Sequence, residues 1–219
     1  MMKKCYVIAL VASAVLAMGS CGNKSEKVPF DNGDSLDVAN IDPTVYGVCG
    51  EGTTMNTLQL LTDTGDTLTL SMEKAQEEGA VFGGLNVGDR IAVVPDTKGK
   101  EAVTVINQAT LLGNWVMPNP IDGSDEVGIS IKEGGIAESI DQSSIIYKTW
   151  RLTHGKLEIM LVREGGSEME ETYVYDIVKL TPDSLVYRDA EDTYELGRQR
   201  PKAEYGTEVE LEDAGDFKM

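Results

Sequence analysis

Histidine occurs once in the 219 residues, cysteine and phenylalanine three times each, and tryptophan twice. So few His and Cys exclude most zinc-type centres, which take three or four such ligands, and exclude a multi-disulfide scaffold. Basic residues are short as well: 19 Lys and Arg face 37 Asp and Glu, a formal net charge of −18. Phosphates need Lys and Arg to neutralise them, so nucleic acid is not an expected partner, nor is a lipid headgroup bound through a basic patch. The chain has no G-x-S-x-G elbow, phosphate-cradling loop or Gly-rich dinucleotide fingerprint. The lone His154 precedes Gly155 in a turn-like stretch. The acid pairs Glu170-Glu171 and Asp125-Glu126 are sequence neighbours, which point to opposite faces of a strand. No catalytic residue, cofactor or metal site is expected. What remains is ordinary globular material, 41% hydrophobic and 26% charged, long enough for one or two domains with a real core.

The N-terminus carries the strongest local signal. Lys3 and Lys4 precede an uninterrupted apolar run, residues 6–18, and then Met18-Gly19-Ser20-Cys21. A basic start, a short apolar stretch and small residues before a cut site read as a secretory signal. The run falls short of the roughly 20 apolar residues that span a bilayer. The small pair directly before Cys21 resembles the lipobox of bacterial lipoproteins. That resemblance implies removal of residues 1–20, acylation of Cys21 and a membrane partner through the acyl chains, in the cell envelope and on the outer membrane. With Cys5 leaving in the signal and Cys21 acylated, Cys49 is left alone, and it reads as a small buried hydrophobe. Residues 21–43 mix Gly, Pro, Asn and Asp without periodicity and read as a flexible tether.

Residues 44–110 read as five short strands, at 45–51, 55–62, 66–72, 89–95 and 101–107, with a short helix over 73–78 ended by Gly79. Leu68, Leu70 and Met72 alternate with Thr67, Thr69 and Ser71, the period of a half-buried strand. Asp63-Thr64-Gly65-Asp66 is a hairpin turn signal between two such runs; it also matches the aspartic-protease triplet, which needs a partner triplet that the chain does not repeat. Three strands, a helix and two strands resemble the order of an oligonucleotide/oligosaccharide-binding (OB) fold, with a small SH3-like barrel as the alternative. Only Tyr46 and Phe82 are aromatic here, so the stacking platform of single-strand binders is missing.

Residues 111–198 read as eight strands, at 111–117, 126–132, 135–140, 146–153, 156–164, 169–180, 184–189 and 193–198, joined by short Gly-, Pro- and Asp-containing turns. A meander this long avoids exposed edges by closing into a barrel. In the strand at 156–164 the second face is also apolar, which predicts cover on both sides, from the first unit. Both Trp and five of the eight Tyr, Tyr147, Tyr173, Tyr175, Tyr187 and Tyr194, fall in this half. The two β units are expected to divide near residue 110 and to fold independently. Residues 199–219 are acid-rich and aperiodic, and read as a disordered acidic tail.

Leu111-Leu112-Gly113-Asn114-Trp115 opens the meander with G-x-W, the first-strand motif of lipocalins. Together with residues 146–152 and 180–186, it resembles the lipocalin-like domains of Bacteroidota lipoproteins. The two readings together give an all-β chain in which a small five-stranded OB-like barrel precedes the eight-stranded antiparallel lipocalin-like barrel that the second resemblance implies. That resemblance also implies that Gly113, Trp115 and a basic residue on the last strand close one end. Arg198 is the candidate for that residue, and Arg188 is the second. A small apolar or amphipathic ligand would enter at the other end, with Trp150, Tyr173 and Tyr175 as its contacts. The alternative is a filled barrel that serves as a structural or interaction module for an envelope protein.

Overall fold

The computed structural model describes residues 41–120, 123, 125–142, 144–163 and 169–200. The signal segment with Cys21, most of the tether and residues 201–219 of the tail lie outside the described residues. The last tether positions do not. Asp42 accepts hydrogen bonds from the Thr44 backbone N–H at 3.0 Å and the His154 backbone N–H at 2.8 Å, which pins the entry of the chain to a turn of the second unit. Gln199, expected in the tail, donates its N–H to the Asn114 carbonyl at 2.9 Å and belongs to the barrel.

The first unit runs β1 (Val45–Cys49), β2 (Thr57–Thr62), β3 (Thr67–Ser71), α1 (Glu73–Glu77), β4 (Val81–Phe82), β5 (Arg90–Pro95) and β6 (Ala102–Asn107). The strands form a six-stranded sheet in the order β3-β2-β1-β5-β6-β4. The five expected strands pair antiparallel, and a single parallel bridge between Ser71 and Glu101 joins β3 to the start of β6. The five expected strands thus stand in the expected order, and the sheet gains a sixth strand. That strand, β4, is two residues long and lies parallel to β6. The inner face of the sheet packs Leu58, Leu60, Leu70, Ile91, Val93 and Val105 around the buried Cys49. The Asp63-Thr64-Gly65 triplet is the β2–β3 turn, with Gly65 at φ +91°.

A four-residue helix, α2 (Gln108–Leu111), replaces the expected polar break; the Asn107 side chain caps it by accepting from the Thr110 N–H at 3.0 Å. The second unit then runs β7 (Gly113–Pro118), β8 (Glu126–Lys132), β9 (Ile136–Ile140), β10 (Ile145–Thr153), β11 (Lys156–Arg163), β12 (Glu171–Leu180), β13 (Ser184–Arg188) and β14 (Thr193–Arg198). These eight strands close into an antiparallel barrel. The join is β14 on β7, where Gly197 faces Val116 and Arg198 faces Trp115. Alternation puts Ile129 and Ile131 of β8, Leu157, Ile159 and Leu161 of β11, and Leu185 and Leu196 inside. Two register shifts, at Lys148 in β10 and Val178 in β12, interrupt it.

The two units share one core. Ala92 and Ile106 of the sheet, with Tyr46 and Phe82 beside them, pack on the barrel residues of the same apolar cluster. The Gly83 N–H donates to the Leu180 carbonyl at 3.0 Å, and the Tyr46 hydroxyl donates to the Leu152 carbonyl. This cover falls on one end of the barrel. It does not fall on the outer face of β11, where Met160 and Val162 stay half-exposed, contrary to the cover expected there.

Candidate ligand-binding site

Up-and-down order fixes which residues share an end. The starts of β7, β9, β11 and β13 and the ends of β8, β10, β12 and β14 meet under the sheet. Trp115 is fully buried there, and its indole N–H donates to the Leu111 carbonyl at 2.7 Å. The Arg198 guanidinium lies 4.1 Å from the Trp115 ring centroid. It donates to the carbonyls of Thr110 at 2.7 Å and Leu112 at 2.9 Å, and also to Pro182. Gly113 sits at φ +130°, and a Cβ added there would strike that guanidinium. The glycine of G-x-W is thus required twice, for backbone conformation and for room. Arg188, the second candidate, is exposed at the far end of β13.

The opposite end gathers tyrosines from four strands. Tyr175 lies edge-on to Tyr187 at 4.9 Å and to Tyr194 at 5.8 Å, Tyr187 stacks on Tyr194 at 5.1 Å, and Tyr173 stacks on Tyr175 at 6.2 Å. Tyr147 joins through hydrogen bonds with Tyr187 and Gln142. Arg163 stands 5.3 Å over the Tyr173 ring, and the Tyr173 hydroxyl donates to Glu171 at 2.6 Å. Burial pushes the hydroxyls of Tyr175 and Tyr187 well above the ordinary phenol range, and neighbouring tyrosines add to the effect. Tyr175 and Tyr187 therefore meet a ligand as neutral phenols.

A second concave feature is a groove of about 740 Å³ between the sheet and the covered end, lined by Tyr46, Arg90, Gln108, Leu112, Trp150 and Arg151 among others. Most of its charged side chains already have partners. Arg90 makes a two-pronged pair with Asp63 at 2.6 and 2.5 Å, and Arg151 donates to Glu158 at 2.6 Å. Asp89 accepts from Asn86 and Asn107.

The three residues expected to touch a ligand are thus divided. Tyr173 and Tyr175 lie in the tyrosine cluster. Trp150 is 7% exposed, bonds the Lys132 carbonyl through its indole N–H at 2.7 Å and borders the groove. Tyr147, Tyr187, Tyr194 and Arg163 were not among the expected contacts. For Tyr147 the obstacle is the bulge at Lys148, which puts Tyr147 and Trp150 inside together although they are three residues apart. Among the described residues no group of three or more His, Cys, Asp or Glu is placed to hold a metal ion.

Residues 107–199 match the lipocalin-like family model. No curated protein matches the chain. Among solved structures, a lipocalin-like protein from Bacteroides thetaiotaomicron VPI-5482 shows 30% identity, over 41% of this chain and 97% of that one, with a TM-score of 0.38. The closed eight-stranded barrel and the family match over residues 107–199 together identify a lipocalin-like domain that starts at the end of the first unit.

Proposed function

We propose that this chain is an envelope lipoprotein, anchored through acylated Cys21, whose barrel binds a small apolar or amphipathic ligand at the tyrosine-lined end. The observation that carries the reading is the convergence of Tyr147, Tyr173, Tyr175, Tyr187 and Tyr194 at the barrel end that the sheet leaves uncovered. Aromatic faces with polar tips form the mixed lining that small-molecule sites use. The groove beside Trp150 is the weaker site, because both of its arginines are already held by carboxylates. Neither end carries a catalytic constellation in this reading; the protein carries or senses a ligand without transforming it. The reading is tested by titrating the soluble chain from residue 22 with N-phenyl-1-naphthylamine, a neutral apolar fluorophore. Saturable one-to-one binding is expected, and a linear, non-saturating signal refutes ligand binding. The anchor is tested by metabolic labelling with a clickable fatty acid, which is expected to mark the wild type and not Cys21→Ala; equal labelling of both refutes it.

A docking role for an envelope protein is the second reading. It is favoured by exposed Ile136, Ile146 and Val174 on the outer barrel wall beside the half-exposed Met160.

A further inference from the structure

Two hydroxyls in the tyrosine cluster, those of Tyr175 and Tyr194, make no hydrogen bond among the described residues, and Tyr175 is the more deeply buried of the two. Tyr175 is 4% exposed, yet its hydroxyl makes no hydrogen bond among the described residues, whereas Tyr147, Tyr173 and Tyr187 all have partners. No fully enclosed side-chain N or O among the described residues lacks a partner. The Tyr175 hydroxyl is therefore not sealed in protein: it faces space that a solvent-sized molecule reaches, four residues in from the start of β12. A hydroxyl without a protein partner at that position is a donor that an acceptor entering this end can take over from solvent.

The rim of the same end sets the sign of what enters. Among the described residues, acids outnumber bases at the turns and strand ends there, with Asp141, Glu170, Glu171, Asp189, Glu191 and Asp192 against Arg163 and Arg188. Arg163 is drawn to Glu171 at 3.7 Å and to Tyr173. The Asp189 carboxylate is held in its own turn by the N–H groups of Glu191 and Asp192, at 2.9 and 2.8 Å. An acidic rim repels anions and leaves neutral molecules unaffected.

Resting on the ligand-binding reading above, we infer that the barrel takes an uncharged amphiphile whose hydrogen-bond-accepting oxygen enters first and is met by the Tyr175 hydroxyl. A ketone, ester or ether fits that description; a fatty carboxylate does not. The burial-raised pKa of Tyr175 agrees, since it keeps the phenol a donor throughout the physiological range.

The test compares 2-decanone and decanoate, equal in chain length, by displacement of N-phenyl-1-naphthylamine from wild-type protein and from Tyr175→Phe. The substitution keeps the ring and removes a hydroxyl without a protein partner, so the melting temperature is expected to stay unchanged. Tyr175→Phe is expected to weaken 2-decanone about tenfold, the effect of one buried hydrogen bond. Decanoate is expected to bind the wild type at least tenfold more weakly than 2-decanone. Equal 2-decanone affinity in the two proteins overturns the inference and leaves ligand binding standing, with Tyr175 served by solvent alone. Tighter binding of decanoate overturns the ligand class. Failure of the wild type to bind the fluorophore or 2-decanone sinks both this inference and the reading beneath it.

Discussion

Arg198 bears more on this fold than any other charged side chain described. It stacks on Trp115 and satisfies carbonyls at Thr110, Leu112 and Pro182, so one side chain ties the last strand to the first, to α2 and to the β12–β13 turn. Arg198→Ala removes a cation–π contact worth about 0.5–2 kcal/mol and leaves half-buried carbonyls without donors. A loss of about 2–4 kcal/mol is expected in urea denaturation, with affinity for N-phenyl-1-naphthylamine within threefold of wild type. Arg198→Lys is expected to recover less than half of the loss, since an ammonium lacks the planar fork that reaches several carbonyls. The sequence pointed to this end through a resemblance: G-x-W named Gly113 and Trp115, and a basic residue on the last strand was expected over the indole, with Arg198 first and Arg188 second. The reason for Gly113 was not readable, because the guanidinium it makes room for comes from 85 positions downstream.

At the scale of elements, the strands announce themselves by alternation, and the errors occur where alternation stops. β4 is two residues long, too short for a period, and exists because β6 offers it an edge. The helix α2 hides behind a strand-like Asn107, which serves as both the last residue of β6 and the cap of α2. The tyrosine cluster was half legible: Tyr173 and Tyr175 share parity on β12, but the bulge in β10 resets the parity of Tyr147. Because the cluster draws on four strands, its protonation is a property of the assembled barrel. Tyr175 and Tyr187 have raised pKa values in the folded state, so above about pH 10 the unfolded chain gives up protons that the folded chain keeps. Fewer protons on the unfolded state make stability fall as pH rises, by about 1.4 kcal/mol per pH unit for each such tyrosine. The urea midpoint is expected to be flat from pH 8 to 9.5 and to drop steeply from pH 10 upward, with the Tyr175 and Tyr187 ring NMR signals moving to tyrosinate positions only together with unfolding. Ionisation of either of these two rings in the folded state at the ordinary phenol pKa contradicts their burial.

Over the whole molecule, the sheet and the barrel belong to one compact unit. The sequence showed two runs of strands and suggested independent units, because a boundary of polar residues looks the same whether or not the apolar faces beyond it meet. The faces do meet: Ala92, Ile106, Phe82 and Tyr46 close the Trp115 end, and the sheet does not reach the tyrosine end. That division of labour is the central claim: one end carries structure and the other takes the ligand. Backbone amide NMR shift mapping with 2-decanone on isotope-labelled protein tests it most directly. The account expects perturbations concentrated at Tyr147, Leu161, Tyr173, Tyr175, Tyr187 and Tyr194, with Gln108, Leu112 and Arg151 at the groove unchanged. Perturbations confined to the groove, or the reverse ranking of the two sets, would contradict it.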